Sequence, residues 1–350
     1  MAELADARDS KSRGAIHVGS IPTSGTNMKL FYDLLITLGI ITTALPAVIL
    51  LYHRHKTKNS FEYKFRSLSF FISLFLLFGT TVLVYGSFLE PRLLITNEQQ
   101  INLAGIEEEI KIVFFADPQI GPYRREKHLE KIVEASLKLN PDMVLIGGDI
   151  INNGIPNTDE TILLKPLKKL ADSIPTYAIH GNHEYGVGSD NPEQEKKSLS
   201  PDRSYQVEKE LKKLGIKYLV NDLELIEIGQ VKFYLFGGDS LWADKLDFSS
   251  LKNREIKNIP TIALIHNPLS IKEAIKYNID LVLSGHTHGG QIRFPFIGPL
   301  GRVDDTTPAE LYQGLHEFGS TTLFVTSGIG ETGTRARLFN PPEIVLITLK

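Results

Sequence analysis

The chain has 350 residues, no cysteine and a formal net charge of −3 at pH 7. This length suffices for one large domain or two ordinary ones, and the near-neutral charge does not favour a nucleic-acid partner. Without cysteine, disulfides and thiolate metal sites are excluded, so a bound metal must be held by His, Asp, Asn or Gln.

The N-terminal residues 1–27 are small, polar and without periodicity, and they lack the apolar stretch of a signal peptide. The run Met1–Ser10 resembles the translation of a tRNA gene that has been joined to an open reading frame. We therefore predict that 1–27 is a disordered tail or a mis-assigned start, with Met28 as the native first residue.

Two uncharged apolar runs follow, 19 residues at 34–52 and 23 residues at 67–89. A helix rises about 1.5 Å per residue and the hydrocarbon core is about 30 Å thick, so each run can span a bilayer. The alternative is a pair of buried core helices, but charge-free runs of this length are rare in soluble domains. We predict a two-helix transmembrane hairpin within 28–92 and a linker at 93–109.

The segment between the two runs, 53–66, is basic. Its charges are Arg54, Lys56, Lys58, Lys64 and Arg66 against Glu62 alone. Short loops rich in Lys and Arg stay on the cytoplasmic side. The prediction is a two-pass protein of a bacterial cytoplasmic membrane, with everything after Glu90 outside the cytoplasm.

From residue 110 onward, short β-rich runs alternate with helical ones, which indicates an α/β fold. Strands are predicted at 110–116, 143–146, 176–179, 261–265, 281–283, 322–325 and 343–349, with a hairpin over 223–236. Helices are predicted at 124–139, 161–171, 205–214 and 271–277.

Five of the strands are followed by polar motifs. These are Asp117-Pro118-Gln119, Gly147-Gly148-Asp149, Gly181-Asn182-His183-Glu184, His266-Asn267-Pro268 and Gly285-His286-Thr287-His288. Each motif alone is weak, because a Gly-Asp pair is often a turn and a lone His is often structural. Together they place metal-capable side chains from five strands at the end of an α/β sheet where ligands bind.

This ordered set resembles the calcineurin-like metallophosphoesterase superfamily. Its signature is Asp-x-His, Gly-Asp, Gly-Asn-His-Asp/Glu, a lone His and a final Gly-His-x-His. The runs Gly289–Arg293 and Asn340–Leu346 are similar to those of its bacterial, membrane-anchored branch. The resemblance implies a four-layer αββα sandwich over 110–350 that holds two divalent metal ions.

The resemblance also implies residue roles. The metal ligands are Asp149 as the bridge, Asp117 and His288 for the first metal, and Asn182, His266 and His286 for the second. His183 would contact the phosphate or protonate the leaving oxygen. Two cations about 3.5–4 Å apart activate a bridging water and neutralise phosphoryl oxygens, which is the chemistry that Asp149 would organise.

One position departs from the superfamily pattern, since Gln119 stands where the first motif usually has His. We include Gln119 among the metal ligands; the alternative is that it points away. An amide oxygen is a harder and weaker ligand than imidazole, so manganese or iron is favoured, with magnesium or zinc as further candidates.

Two long loops are expected to shape specificity. The first, 185–203, is polar; the second, 291–314, carries the apolar residues Phe294, Phe296, Ile297 and Leu300. Loops of this length within a compact domain are often functional. Apolar residues beside the site suggest a lipid-linked phosphate substrate, although they could equally pack the loop onto the core.

Two further residues keep two interpretations, since Arg335 and Arg337 could hold a second substrate phosphate or be surface charges. Trp242 is expected to be structural.

The prediction is a membrane-tethered phosphoesterase that hydrolyses phosphodiester or pyrophosphate bonds of envelope or lipid-linked substrates by metal-bridging hydroxide attack. One alternative is a UDP-2,3-diacylglucosamine pyrophosphatase of lipid A synthesis, although that reaction belongs on the cytoplasmic face. Another is a non-catalytic envelope-binding protein with the same fold.

Overall fold

The computed structural model describes residues 25–121, 123–153, 159–188, 200–256, 258–302 and 306–350, with side chains from residue 30 onward. The predicted extension 1–27 lies outside this description except for its last three residues, which begin the first helix. The predicted loop 185–203 is likewise described only at its two ends.

The N-terminal part is a helical hairpin. Its helices are α1 (Gly25–Lys56), α2 (Phe61–Lys64) and α3 (Arg66–Val84), followed by a π-helical turn (Tyr85–Leu89) and a 3₁₀ turn (Glu90–Arg92). The long helices pack closely at Gly39, where an added Cβ would lie 3.2 Å from Leu83. Thr80 donates a hydrogen bond to Thr43 at 2.8 Å.

The two apolar runs are helical, as predicted. Both long helices are long and apolar enough to cross a membrane by length and composition, and only 11% of each apolar window is buried. Because their outward side chains remain exposed, these helices do not resemble the buried core helices of a soluble domain.

The rest of the chain forms two six-stranded sheets and a small hairpin. The first sheet has the order β1-β14-β2-β3-β4-β5. Its strands are β1 (Ile95–Ile101), β2 (Ile110–Phe115), β3 (Met143–Ile146), β4 (Thr176–Ala178), β5 (Lys217–Tyr218) and β14 (Glu343–Leu349).

The second sheet has the order β12-β13-β9-β8-β7-β6. Its strands are β6 (Asp222–Ile228), β7 (Val231–Gly237), β8 (Thr261–Leu264), β9 (Leu281–Ser284), β12 (Gly314–Phe318) and β13 (Thr321–Val325). The separate hairpin pairs β10 (Arg293–Phe294) with β11 (Gly298–Pro299).

Helical segments cover the outer faces of both sheets, so the domain has the predicted four layers. The helices are α4 (Glu126–Lys138), α5 (Leu167–Ala171) and α6 (Ser204–Lys213) on the first sheet and α7 (Ile271–Ala274) on the second. The inner faces bury a shared apolar core in which Phe114 and Phe324 meet edge to face at 6.5 Å.

Several elements differ from their predicted form. The helix predicted at 161–171 is a 3₁₀ turn (Glu160–Leu164) and then α5, because Pro166 between them lacks the N–H that a continuous helix needs. The helix predicted at 271–277 is α7 followed by a 3₁₀ turn.

The segment predicted as a linker, 93–109, contains β1, which pairs in parallel with β14 at the edge of the first sheet. Its sequence is mostly polar and its side chains are mostly exposed, so it lacks the apolar alternation that predicts a strand. Strands β5, β10 and β11 have two residues each, too few for any periodicity. The domain boundaries stay a prediction.

Candidate metal centre

The five polar motifs come together at one edge of the sandwich. Strands β2, β3 and β4 are parallel neighbours in the first sheet, and β8 and β9 are parallel neighbours in the second. Parallel neighbours end at the same edge, so each sheet delivers its motifs to one place. The turn after β2 also joins the turn after β13, since Gly330 donates to the carbonyl of Asp117 at 2.7 Å.

Two groups of buried side chains bring potential ligand atoms within 4.8 Å of one another. The members are Asp149, His266 and His286 in one group, and Asp117, Asp149 and His288 in the other. Asp149 belongs to both. A carboxylate has two acceptor oxygens, so it can serve two neighbouring cations at once.

Backbone and amide donors hold the two carboxylates in place. Both oxygens of Asp117 lie 3.1 Å from the backbone N–H of His286. Asp149 accepts from the backbone N–H of His183 at 2.9 Å and from Nε2 of Gln119 at 3.0 Å. These bonds fix where the carboxylate oxygens point before any metal binds.

In their neutral form two histidines have a defined tautomer, because their Nδ1 atoms face carbonyl oxygens that can only accept. His266 donates to Gly147 at 2.7 Å and His288 to Gly330 at 3.3 Å. Their Nε2 atoms then lie 3.2 Å from Asp149 and 3.7 Å from Asp117, respectively. Nδ1 hydrogen-bonded to a carbonyl and Nε2 turned inward is the usual arrangement of a metal-ligating histidine.

These residues fit a pair of divalent metal ions. In the described part of the chain, the buried Nε2 of His288 makes no hydrogen bond. A buried nitrogen that lacks a hydrogen bond is costly unless it binds something else. Buried carboxylates and imidazoles also suit manganese, iron and zinc.

The two amide residues also reach the cluster. Oδ1 of Asn182 lies 3.0 Å from Nδ1 of His286. Gln119 contacts the cluster through Nε2, which donates to Asp149 at 3.0 Å, while its Oε1, the atom that could ligate a metal, accepts from Asn152 at 2.9 Å. The structure therefore places Gln119 beside the shared carboxylate, and whether it ligates a metal stays a proposal.

His183 lies at the mouth of the cluster. Its side chain is 21% exposed, and its Nε2 is 3.8 Å from Asp149. Nδ1 donates to the carbonyl of Asn152 at 2.7 Å. This hydrogen bond orients the ring so that Nε2, on the opposite side, faces the cluster. A ring in this position can reach a group bound over Asp149.

Strained backbone is concentrated at the site. Residues with a left-handed φ include Asp117 (58°), Gln119 (50°), Asp149 (50°), His286 (71°) and His288 (50°). Such angles are uncommon for residues with a side chain and persist where the surrounding structure enforces them. Gly328 lets the turn after β13 approach Asp117 closely, because a Cβ at Gly328 would lie 2.7 Å from Oδ2 of Asp117.

Burial and mutual charge shift the pKa values of the cluster. Burial raises the pKa of Asp117 to about 7, with Asp149 adding to the shift. Burial also acts to raise the pKa of Asp149, but His266 and His183 outweigh it and hold that pKa far below its usual range. Burial opposes protonation of His266, yet Asp149 and Asp117 raise its pKa to about 10. The metal-free cluster therefore keeps a proton on His266, which a cation would displace.

Two residues that the sequence analysis did not assign to this centre also support it. The carboxylate of Glu184 is buried and accepts from the backbone N–H groups of Asp149 at 3.1 Å and of Gly181 at 2.7 Å. The ring of Trp242 meets that of His286 edge-on at 4.3 Å. Trp242 is thus a wall of the site, for which its sequence context offered no signal.

Arg335 and Arg337, for which the sequence left two interpretations, both contact other parts of the protein. Arg337 is fully buried and donates to the carbonyls of Ser327, Gly330 and Asn340 at 2.9, 2.6 and 3.0 Å. Arg335 forms an ion pair with Asp33 of α1 at 3.0 Å. Arg337 is therefore not a surface charge, and Arg335 joins the helical hairpin to the domain.

A sandwich of two sheets with a shared carboxylate between clustered imidazoles suits the two-metal hydrolysis of phosphate esters. Comparison with known proteins agrees: the family model for the calcineurin-like phosphoesterase matches residues 110–290. The chain belongs to this family, whose members use a dinuclear metal centre.

Three relatives show how far the similarity extends. The metallophosphoesterase YkuE of Bacillus subtilis is 30% identical over 273 residues, 76% of this chain and 89% of the relative. The phosphodiesterase YaeI of Escherichia coli is 29% identical over 240 residues, 68% of this chain and 82% of the relative. A transmembrane protein with a metallophosphoesterase domain from Danio rerio is 28% identical over 254 residues, 69% of this chain and 53% of the relative.

Proposed function

We propose that this hydrolase cleaves phosphodiester or pyrophosphate bonds of envelope or lipid-linked substrates while tethered to a bacterial cytoplasmic membrane. The observation that carries the chemical part is the membership of Asp149 in both ligand groups. A shared carboxylate sets two cations close enough to act on one phosphoryl group. The similarity to a protein named a phosphodiesterase favours a diester over a monoester.

The ligand roles that we assign are those implied by the order of the motifs. Asp149 bridges; Asp117, Gln119 and His288 hold the first metal; and Asn182, His266 and His286 hold the second. Gln119 brings an amide where imidazole is usual, so manganese or iron suits the first position better than zinc. When bound, the metal pair would lower the pKa of a water molecule and neutralise the phosphoryl oxygens.

The protein itself positions the reacting groups. His183 is held by Asn152 so that its Nε2 faces the cluster, where it can give a proton to the departing oxygen. Burial, helped by the charge of Arg337, keeps the pKa of His288 well below its usual value. A neutral His288 leaves its Nε2 free to ligate at neutral pH.

The membrane part rests on the helical hairpin and its charges. Two helices long enough to span are joined by the basic segment 53–66, which favours a cytoplasmic hairpin loop and an extracytoplasmic domain. Digestion of spheroplasts with an added protease tests this orientation. The domain should be cleaved in intact spheroplasts, and protection until lysis would reverse the proposed topology.

The activity is tested on the full chain in detergent with bis-p-nitrophenyl phosphate, p-nitrophenyl phosphate and a nucleotide-sugar pyrophosphate. Each substrate is assayed with manganese, iron, magnesium and zinc. We expect metal-dependent turnover of the diester or the pyrophosphate, and a loss of about 10³-fold or more in Asp149→Asn.

Asp239→Asn is the matched control, because Asp239 is also buried but its partner is the hydroxyl of Tyr185 at 2.9 Å. It should retain turnover within a few fold. Absence of turnover with every metal and substrate, or equal activity of Asp149→Asn and the wild type, would contradict the proposal.

A further inference from the structure

An exposed apolar patch lies on the β10–β11 hairpin and the neighbouring residue Phe339. Phe296 and Ile297 at its tip are 108% and 73% exposed, and Phe339 is 58% exposed. The ring of Phe339 lies 5.9 Å from that of Phe294, so the two sides of the patch are continuous. We call Phe294, Phe296, Ile297, Leu300 and Phe339 the hairpin patch. Contiguous apolar groups on a polar domain mark a contact with protein or membrane.

The hairpin patch is continuous with the two apolar helices. Ile292, one residue before β10, packs in a cluster with Tyr32 and Ile36 of α1 and with Ala336. Ile292 and Leu338 form a parallel bridge, and Arg337 donates its backbone N–H to Gly86 at 2.9 Å. The segments that carry the patch are therefore attached to the domain-side end of the helical hairpin.

The place along α1 where the domain packs determines how deep the hairpin patch would lie in the bilayer. Ile36 belongs to the uncharged run 34–52 and lies in one buried cluster with the domain residue Ala336, against which Ile40 and Ile292 also pack. A domain residue thus reaches the level of side chains inside the span. Phe296 follows four residues later in a turn that points away from the core, as its exposure requires.

Arginine side chains lie close to the hairpin patch and to the start of α1, where the membrane interface would be. Arg335 is paired with Asp33 of α1, and its guanidinium lies 5.5 Å from the ring of Phe88 and 5.3 Å from that of Tyr123. Arg302, just after the hairpin patch, is exposed. Apolar tips with Arg beside them are typical of segments that enter the headgroup region by about 5–10 Å.

We propose that the hairpin patch inserts into the surface of the same bilayer that α1 and α3 span. This inference rests on the proposed membrane anchoring and deepens the proposed function. The occupant is lipid, because the patch continues the surface of two helices whose own apolar side chains are exposed.

Insertion would place the metal centre at the headgroup level. The motif that ends in His288 runs directly into the β10–β11 hairpin, and Gly290 allows Pro299 to approach it closely, since a Cβ there would lie 2.4 Å from that of Pro299. The hairpin is thus fixed to the ligand motif. The substrate class that fits is a phosphodiester or pyrophosphate whose hydrocarbon part stays in the bilayer.

The insertion is tested with tryptophan reporters in full-length protein reconstituted into vesicles of phosphatidylethanolamine and phosphatidylglycerol with brominated acyl chains. Phe296→Trp should be quenched by the bromines above the background of Trp242. Tyr205→Trp, at an exposed aromatic residue of α6 away from the hairpin patch, should not be quenched. Phe75→Trp, in the middle of α3 and 75% exposed, reports anchoring by itself.

The tryptophan reporters distinguish membrane anchoring by the helices from insertion of the hairpin patch. Quenching of Phe75→Trp without quenching of Phe296→Trp overturns the insertion of the hairpin patch and leaves the anchoring intact. Absence of quenching at both positions overturns the anchoring and the inference with it. Quenching at both, with Tyr205→Trp unaffected, supports the inference.

A second experiment tests the substrate class with two diesters that carry the same leaving group. The double variant Phe296→Ser/Ile297→Ser should hydrolyse soluble bis-p-nitrophenyl phosphate like the wild type. Its kcat/KM for hexadecyl p-nitrophenyl phosphate embedded in the vesicles should fall at least five-fold. An equal loss on both diesters would indicate damage to the centre, and no loss on the embedded diester would overturn the proposed substrate class.

Discussion

His288 and Arg337 donate to one carbonyl oxygen, that of Gly330, from Nδ1 at 3.3 Å and from Nη2 at 2.6 Å. The same guanidinium also binds the carbonyl of Ser327, at the turn that approaches Asp117. Its own backbone N–H is held by Gly86 at the end of the helical hairpin. Arg337 therefore fixes the orientation of a proposed metal ligand from a position between the metal centre and the hairpin.

Arg337→Lys should destabilise the fold and loosen the first metal. An ammonium cannot reach all the carbonyls that the planar guanidinium satisfies, and a buried acceptor left without a donor costs about 1–3 kcal/mol. We expect a loss of about 2–4 kcal/mol in the free energy of unfolding, measured by urea denaturation in detergent. Manganese affinity, measured by calorimetric titration, should fall about 10–100-fold.

Arg335→Lys is the control, because Arg335 lies two residues away and its ion pair with Asp33 is partly exposed. Its effect should stay below about 1 kcal/mol. Equal stability and equal metal affinity of the two variants would show that Arg337 does not position His288.

His183→Gln should slow substrates according to their leaving group. A group that protonates the departing oxygen matters when that oxygen is basic, as in phenolate, and little when it is the less basic p-nitrophenolate. We expect kcat to fall about 10²–10³-fold for methyl phenyl phosphate and less than ten-fold for bis-p-nitrophenyl phosphate. A uniform loss across a series of aryl and alkyl diesters would instead assign His183 to phosphate binding.

Most of the buried strands could be predicted because they appear as continuous apolar runs, and the motifs after them carry metal-capable residues. The convergence of Asp117, Asp149 and His288 followed from topology alone. Arg337 could not be predicted, since a guanidinium among Thr, Ala and Leu looks like a surface charge until its carbonyl partners are known. The left-handed φ of Asp149 and the wall formed by Trp242 depend on contacts distant in sequence.

Gln119→His should shift the metal preference toward zinc. The amide of Gln119 lies beside Asp149, so an imidazole in its place would add a softer nitrogen ligand to the first site. We expect a higher zinc-to-manganese ratio by elemental mass spectrometry after loading with an equimolar mixture of both ions. Gln119→Ala should bind the first metal with an affinity about ten-fold lower than that of the wild type. Unchanged metal content in both variants would exclude Gln119 as a ligand.

His128 should make the fold sensitive to acid. Its Nε2 is buried without a hydrogen bond in the described part of the chain, and burial together with Arg124, Lys131 and Arg337 lowers the pKa of His128 to about 3. In the unfolded chain a histidine has a pKa of about 6.5. Between these values the unfolded state takes up a proton that the folded state refuses, so stability is complete above about pH 6.5 and is lost as pH falls toward 3.

His128→Phe removes this titration while keeping a ring of similar size. Between pH 7 and pH 4.5 the wild type should lose about 2–3 kcal/mol more unfolding free energy than His128→Phe, because each pKa unit is worth about 1.4 kcal/mol. Urea denaturation at the two pH values measures the difference, and His55→Phe in the exposed part of α1 is the control. Parallel losses in the wild type and His128→Phe would show that other groups set the acid sensitivity.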